Sequence, residues 1–146
     1  MRKKFENVFQ FRSNDDEQTN KTLREYRQEY KSLDENLNKH PEILDIVHCD
    51  LGKLSKATGS GGRNAVLTSE NLFRAIIVMQ REGLDYREAS VRIAESETLQ
   101  NFCKLIRKRT IDFTLLNKAF CAIDRESWER INHLLALGAV KKGLVS

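Results

Sequence analysis

Three consecutive basic residues, Arg107, Lys108 and Arg109, stand directly before a segment with helical periodicity. Lysine and arginine side chains bind nucleic-acid phosphates and release counterions, which gives affinity without sequence preference. The window 104–118 holds five basic residues and one acidic residue, so its net charge of +4 equals that of the whole chain. This concentration of charge favours an anionic partner, although a charged connector in a helical bundle is often only solvated.

The segment after the basic run carries polar side chains that suit base recognition. Asn117 can make a bidentate contact with adenine, Lys118 can reach guanine or phosphate, and Thr114 can bond to either or touch a thymine methyl group. These three residues share one side of the predicted helix, opposite an apolar stripe. The predicted inward stripe consists of Phe113, Leu116, Phe120 and Ile123.

Cysteine and histidine spacing indicates no metal site. The chain has three cysteines and no CxxC pair, and the adjacent side chains of His48 and Cys49 diverge on a helix. Cys103 is predicted to be a buried core thiol. We expect reduced thiols and no cofactor, and the sequence has neither an apolar run of about 18 residues nor a secretory h-region. We therefore expect a cytoplasmic protein without a membrane partner.

The distribution of helix breakers predicts an all-α fold. One proline and seven glycines occur in 146 residues, and no stretch alternates between apolar and polar residues as a strand would. We expect a multi-helix bundle with a helix-turn-helix-like unit of three helices in its C-terminal half. The predicted organisation is a flexible basic and polar arm (1–18), an N-terminal helical pair (19–57), a Gly/Ser hinge (58–66), a helical DNA-binding domain (67–138) and a tail (139–146).

The N-terminal pair carries an apolar seam with heptad spacing. It consists of Leu23, Tyr26, Tyr30, Leu33 and Leu37, followed after Pro41 by Leu44, Val47, Leu51 and Leu54. Such a seam needs a partner surface. That surface is either within the same chain or on a second copy, so a homodimer or a hetero-oligomer remains open.

Capping residues place the helices of the C-terminal half. Predicted starts are Thr68, Asp85, Ser96 or Glu97, Asp112 and Asp124, and predicted ends are Gly83 and Gly138. Asp85 with Glu88 forms a capping-box pattern. Residues 85–123 then contain three short helices, and the third would lie in a DNA major groove, which admits one α-helix.

The stretch from "LTSENLFRAIIVMQREGLDYRE" through "LQNFCKLI" to "TIDFTLLNKAF" resembles the N-terminal domain of bacterial insertion-sequence transposases of the DDE class. That family has a leucine- and arginine-rich helix, a "GLSYREL" turn, an "LRxFCGL" run and a Ser-Thr-Leu helix start. The similarity covers residues 67–137. The matching residues here are Leu72, Arg74, Ala75, Gly83 to Glu88, Leu99, Phe102, Cys103, Leu105, Thr114 and Leu115.

The resemblance implies binding of double-stranded DNA at transposon terminal inverted repeats. The family usually has a proline where this chain has "RKRTID", and its RNase H-like catalytic domain would follow "GLVS", where this sequence ends. The acidic residues at predicted helix starts are explained by capping. We therefore expect no enzymatic activity, and a DNA contact set of Arg107, Lys108, Arg109, Thr114, Asn117 and Lys118. The alternative is a truncated transposase acting as a helical dimerisation or regulatory protein, including mixed oligomers with full-length transposase, without strong DNA specificity.

Overall fold

The computed structural model describes residues 2–6, 20–58, 67–105 and 110–141. Within these ranges every regular element is a helix, which confirms the predicted all-α bundle. No helix among the described residues combines the length and the apolar character needed to cross a membrane. The helices are α1 (Lys21–Asn38), α2 (Pro41–Thr58), α3 (Ser69–Glu82), α4 (Tyr86–Glu95), α5 (Glu97–Phe102), α6 (Phe113–Ala122) and α7 (Arg125–Lys141).

Short-range hydrogen bonds fix both ends of α3 and the start of α4, at the cap residues Thr68, Gly83 and Asp85 predicted from the sequence. Thr68 and Asn71 form a capping box at the start of α3, and Asp85 and Glu88 form another at the start of α4. Gly83 ends α3 in the left-handed region, at φ 67°, which glycine adopts without steric cost. Such cap residues can be predicted from the sequence because each contact involves residues within four positions of one another.

Two predicted boundaries of the last helices differ in detail. Asp112 occupies the N-cap position of α6, but its side chain makes no capping hydrogen bond. The predicted end of α7 at Gly138 is wrong, since the helix continues to Lys141. A single glycine inside a helix costs only about 1 kcal/mol relative to alanine and does not by itself end it.

One apolar core joins the N-terminal pair to the later helices. Tyr30 of α1 and Val47 and Leu51 of α2 are buried in the same cluster as Leu72 of α3 and Leu116 of α6. Helix α1 contacts α5 and α7, while α2 contacts α3, α6 and α7. The apolar seam of α1 and α2 therefore has its partner surface within the chain. The predicted hinge lies outside the described residues, apart from Thr58.

Residues 2–6, at the beginning of the predicted flexible arm, dock against the start of α3. The backbone N–H groups of Ser69 and Glu70 donate to the carbonyl oxygens of Lys3 and Lys4, both at 3.2 Å. Arg2 is buried and donates to the carbonyl of Leu67 at 2.8 Å. The two backbone hydrogen bonds satisfy N–H groups that the first turn of a helix leaves unpaired. The rest of the predicted arm, up to residue 18, lies outside the described residues.

A buried guanidinium stands at the centre of the bundle. Arg74 of α3 is 1% exposed, and its Nη1 donates to Asp34 Oδ1 of α1 at 2.7 Å and to the carbonyl of Phe102 at 3.1 Å. Its Nε lies 3.4 Å from Glu70 Oε2, one turn earlier in α3. The guanidinium also lies 5.0 Å from the ring centroid of Phe102. Arg74 thus ties α1 and α5 to α3.

Replacing Arg74 with alanine should lower the free energy of unfolding by about 3–5 kcal/mol, because Asp34 would remain buried without its cation. Arg125→Ala is the matched control. Its guanidinium is exposed and pairs with Glu129 one turn later, at 3.6 Å, so its loss should cost about 0.5 kcal/mol or less. Urea denaturation followed by circular dichroism measures both, and equal costs for the two variants would contradict a structural role for Arg74.

Candidate nucleic-acid interface

The position of α6 is set by its inner side. Leu115, Leu116 and Ala119 are buried, and the helix contacts α2, α3 and α4. At the C-terminal end of α6, the Asp50 carboxylate of α2 accepts a hydrogen bond from the backbone N–H of Asp124 at 3.0 Å. With its inner face held by three other helices, α6 presents its opposite face to solvent in a fixed orientation.

The outer face of α6 is polar. Thr114, Asn117, Lys118 and Cys121 are exposed. At about 100° of rotation per residue, these four positions lie within an arc of roughly 100°. The Cys121 thiol lies 3.4 Å from Asn117 Oδ1, one turn earlier. The structure therefore brings Thr114, Asn117 and Lys118 together on one accessible face, and their contact with DNA stays a prediction.

The predicted inward position of Phe113 is wrong. Its side chain is 37% exposed, and the guanidinium of Arg87 in α4 lies over its ring, 4.5 Å from the centroid. Ile111, two residues before Phe113, is buried instead and fills the inner position at this end of the helix. Ser90 of α4 donates a hydrogen bond to the carbonyl of Ile111, which fixes that arrangement. The buried side of α6 therefore contains Leu115 together with Leu116, and it does not contain Phe113.

The basic run lies outside the described residues, so the assignment of Arg107, Lys108 and Arg109 to phosphate binding stays a prediction. The residues that bracket the run are anchored. Leu105 before it and Ile111 after it are both buried in the core. In sequence, the three cations stand four to six residues before the first residue of α6.

Acidic and basic groups both lie near the exposed face of α6. The Asp124 carboxylate, after the helix, accepts hydrogen bonds from Lys53 Nζ at 3.0 Å. This contact raises the pKa of Lys53. Asp124 is thus paired with a neighbouring cation, whereas Asp112 at the other end of α6 is exposed, as are Lys118 and Arg87 beside the outer face.

The connections of α4, α5 and α6 differ from those of a tight helix-turn-helix. Ser96 alone joins α4 to α5, ending the one and capping the other. The connection from α5 to α6 spans 103–112, longer than the three- or four-residue turn of that motif. Its second residue, Lys104, has a positive φ of 57°. The order of three short helices is as predicted, but α6 is oriented by core contacts and not by a short turn.

A cavity of about 230 Å³ lies away from α6, beside Arg74. Its charged lining residues are Glu70, Arg74 and Lys104, and Glu70 pairs with both cations, since Lys104 Nζ lies 3.8 Å from Glu70 Oε2. In the described part of the chain, no three His, Cys, Asp or Glu side chains come together as metal ligands do. These paired charges support the fold of α3 and its neighbours.

Two contacts of cationic side chains were not predicted from the sequence. They are the stacking of Arg87 on the Phe113 ring and the burial of Arg74. The signal for Arg87 would have been its partner Phe113, but the two are 26 positions apart. No pattern of local spacing marks such a pair.

No known protein family, curated protein or solved structure matches this chain. The resemblance to transposase N-terminal domains is therefore carried by the residues quoted above alone.

The accessibility of the α6 outer face predicts the behaviour of the thiols. Cys49 and Cys121 are exposed, whereas burial raises the pKa of the Cys103 thiol to about 12 and keeps it protonated. Only a thiolate attacks a disulfide reagent. Ellman's reagent should therefore titrate Cys49 and Cys121 in the native protein and Cys103 only in denaturant. Cys121→Ser should remove one fast thiol. An unchanged count in that variant would show that the outer face of α6 is covered.

Proposed function

We propose that this chain binds duplex DNA with α6 in the major groove, as the end-binding part of a transposase that recognises terminal inverted repeats. The observation that carries the proposal is the exposed face of α6, on which Thr114, Asn117 and Lys118 stand together above a buried apolar side. A helix held in this way can enter a major groove about 12 Å wide without losing its own packing.

Each polar side chain on this face has a chemical role in the proposal. Asn117 carries a donor and an acceptor side by side, which matches the N6 and N7 edge of adenine. Lys118 donates to guanine acceptors or to phosphate, and Thr114 donates to a base edge or packs its methyl group on thymine. Their common exposed arc allows all three to face one short stretch of base pairs.

The basic run would supply affinity. Arg107, Lys108 and Arg109 stand shortly before α6 in the sequence, and a helix that enters the groove brings its flanking backbone close to the phosphates. Phosphate contacts orient a protein on the duplex without distinguishing sequences. The proposal therefore separates affinity, assigned to the run, from specificity, assigned to α6.

The proposal concerns binding and not strand transfer. The resemblance places metal-dependent phosphoryl transfer in a separate RNase H-like domain, and the acidic residues Asp85 and Glu88 of this chain serve each other in a capping box. The catalytic role in that family would thus belong to residues other than those of this bundle.

Dimerisation through the heptad seam receives less support than DNA binding. The seam residues Tyr30, Leu37, Val47 and Leu51 are buried against helices of the same chain. A second copy could reach them only if this core opened. If two chains act together on paired repeats, the surface that joins them lies elsewhere.

Changing Arg107, Lys108 and Arg109 together to alanine should weaken binding to every duplex and lower the salt slope of the affinity by up to about 3. The matched control removes the same charge from exposed cations in and just after α1, far from the run in sequence. Its three substitutions are Lys21→Ala, Arg24→Ala and Lys39→Ala. Fluorescence anisotropy across a salt titration measures both slopes. Equal slopes for the two triple variants would show that the basic run makes no phosphate contacts of its own and only connects two helices.

Changing Asn117 to alanine should relax sequence preference by about 1–3 kcal/mol, since a bidentate base contact would be lost while phosphate contacts remain. The readout is the ratio of dissociation constants for a duplex selected from a random library and for a scrambled duplex. Asn132→Ala, at an exposed position of α7, is the matched control. If Asn117→Ala has the same ratio as the wild-type chain, Asn117 makes no specific base contact.

A further inference from the structure

An exposed aromatic ring borders the outer face of α6 on the side of α4. Phe113 is 37% exposed, and the guanidinium of Arg87 in α4 lies over its ring. Large exposed apolar side chains are few among the described residues. One of them thus occurs next to a cation at the N-terminal end of the proposed reading helix.

The Phe113 ring is held in place before any ligand arrives. The Arg87 guanidinium lies 4.5 Å from the ring centroid, a distance typical of a cation–π contact. The hydrogen bond from Ser90 to the Ile111 carbonyl fixes the start of α6 against α4. An aromatic group fixed in this way loses little conformational entropy on binding.

Helical spacing places Phe113 beside Asn117. The two residues are four positions apart, so they are neighbours on the helix surface, and Phe113 lies one turn closer to the helix N-terminus. The N-terminal residues of a recognition helix are those that approach base edges. An apolar group at this place meets the only apolar group that a major groove displays, the C5-methyl of thymine.

We infer that Phe113 contacts a thymine methyl group next to the base read by Asn117, while Arg87 binds a phosphate beside it. This inference rests on the proposed DNA binding. Duplex DNA is favoured over a protein partner because the exposed apolar area is a single ring, and because the exposed charges around the α6 face are Arg87 on one side and Lys118 on the other, against one acidic residue, Asp112. A stable protein interface buries about 800 Å² on each partner.

The test replaces thymines one at a time with uracil, which lacks only the methyl group, in a duplex selected from a random library by the wild-type chain. One position should lower wild-type affinity by about fourfold, the factor expected for burying one methyl group. In Phe113→Ala the same uracil should have no effect. Leu137→Ala, an exposed apolar residue of α7, is the matched control and should keep the fourfold difference.

Arg87 is tested separately by salt titration. Arg87→Ala should lower the salt slope by about 1 relative to Arg125→Ala, because one phosphate contact would be lost. The first part of the uracil scan uses the unaltered protein, so the existence of the methyl contact can be tested without any variant.

Two kinds of result would overturn the inference, and they lead to different conclusions about DNA binding. If the wild-type chain binds the selected duplex but no uracil matters, or if the effect persists in Phe113→Ala, the thymine contact is wrong while DNA binding stands. If the wild-type chain binds no duplex and shows no salt dependence, both the inference and the proposed function are wrong.

Discussion

The bundle depends on the burial of one charge. A guanidinium removed from water is stable only with its charge and donors satisfied, and Arg74 meets this condition with Asp34 of α1 and the carbonyl of Phe102 at the end of α5. These partners come from segments far apart in sequence, so the ion pair specifies one arrangement of α1, α3 and α5. An alternative packing that separated α1 from α3 would break the pair of Arg74 with Asp34 and leave Arg74 only Glu70 of its own helix as an acidic partner. The N-terminal pair and the later helices therefore form one body around this contact.

A second polar contact between α1 and α3 lies at the C-terminal end of α3, beyond the ion pair of Arg74 with Asp34. The hydroxyl groups of Tyr26 and Tyr30 donate to Glu82 Oε2 at 3.0 and 2.7 Å. Burial and the neighbouring carboxylate raise the pKa of Tyr26 to about 12, so the donor stays protonated through the neutral range. With α3 joined to α1 near its middle and at its C-terminal end, the side of α3 that supports α6 has a defined position. The accessible face of α6 is thus a consequence of contacts on its hidden side.

Sequence reasoning predicted what depends on near neighbours in the chain. The N-cap at Thr68, the capping box at Asp85, the C-cap at Gly83 and the burial of Cys103 all follow from residue type and local spacing, whereas the capping box of Thr68 with Asn71 was not predicted. It failed where the partner is distant. Phe113 fits an inward helical stripe, yet Ile111 fills that position. The burial of an arginine at position 74 depends on Asp34, 40 residues away, and no periodic pattern encodes such a pair. The polar face of α6 could be predicted from the sequence because helical periodicity alone separates its residues from Leu116 and Ala119.

The long connection from α5 to α6 gives the N-terminal pair a part in the proposed function. In a tight helix-turn-helix, the short turn sets the angle between the helices. Here the segment 103–112 is too long to do so, and its anchors, Leu105 and Ile111, lie in the core. Helix α2 holds the far end of α6 through Asp50 and Lys53, which bond to the backbone N–H and the carboxylate of Asp124. The orientation of α6 therefore depends on α2 as well as on α4, and a change in the N-terminal pair would reach the proposed DNA-binding surface through the core.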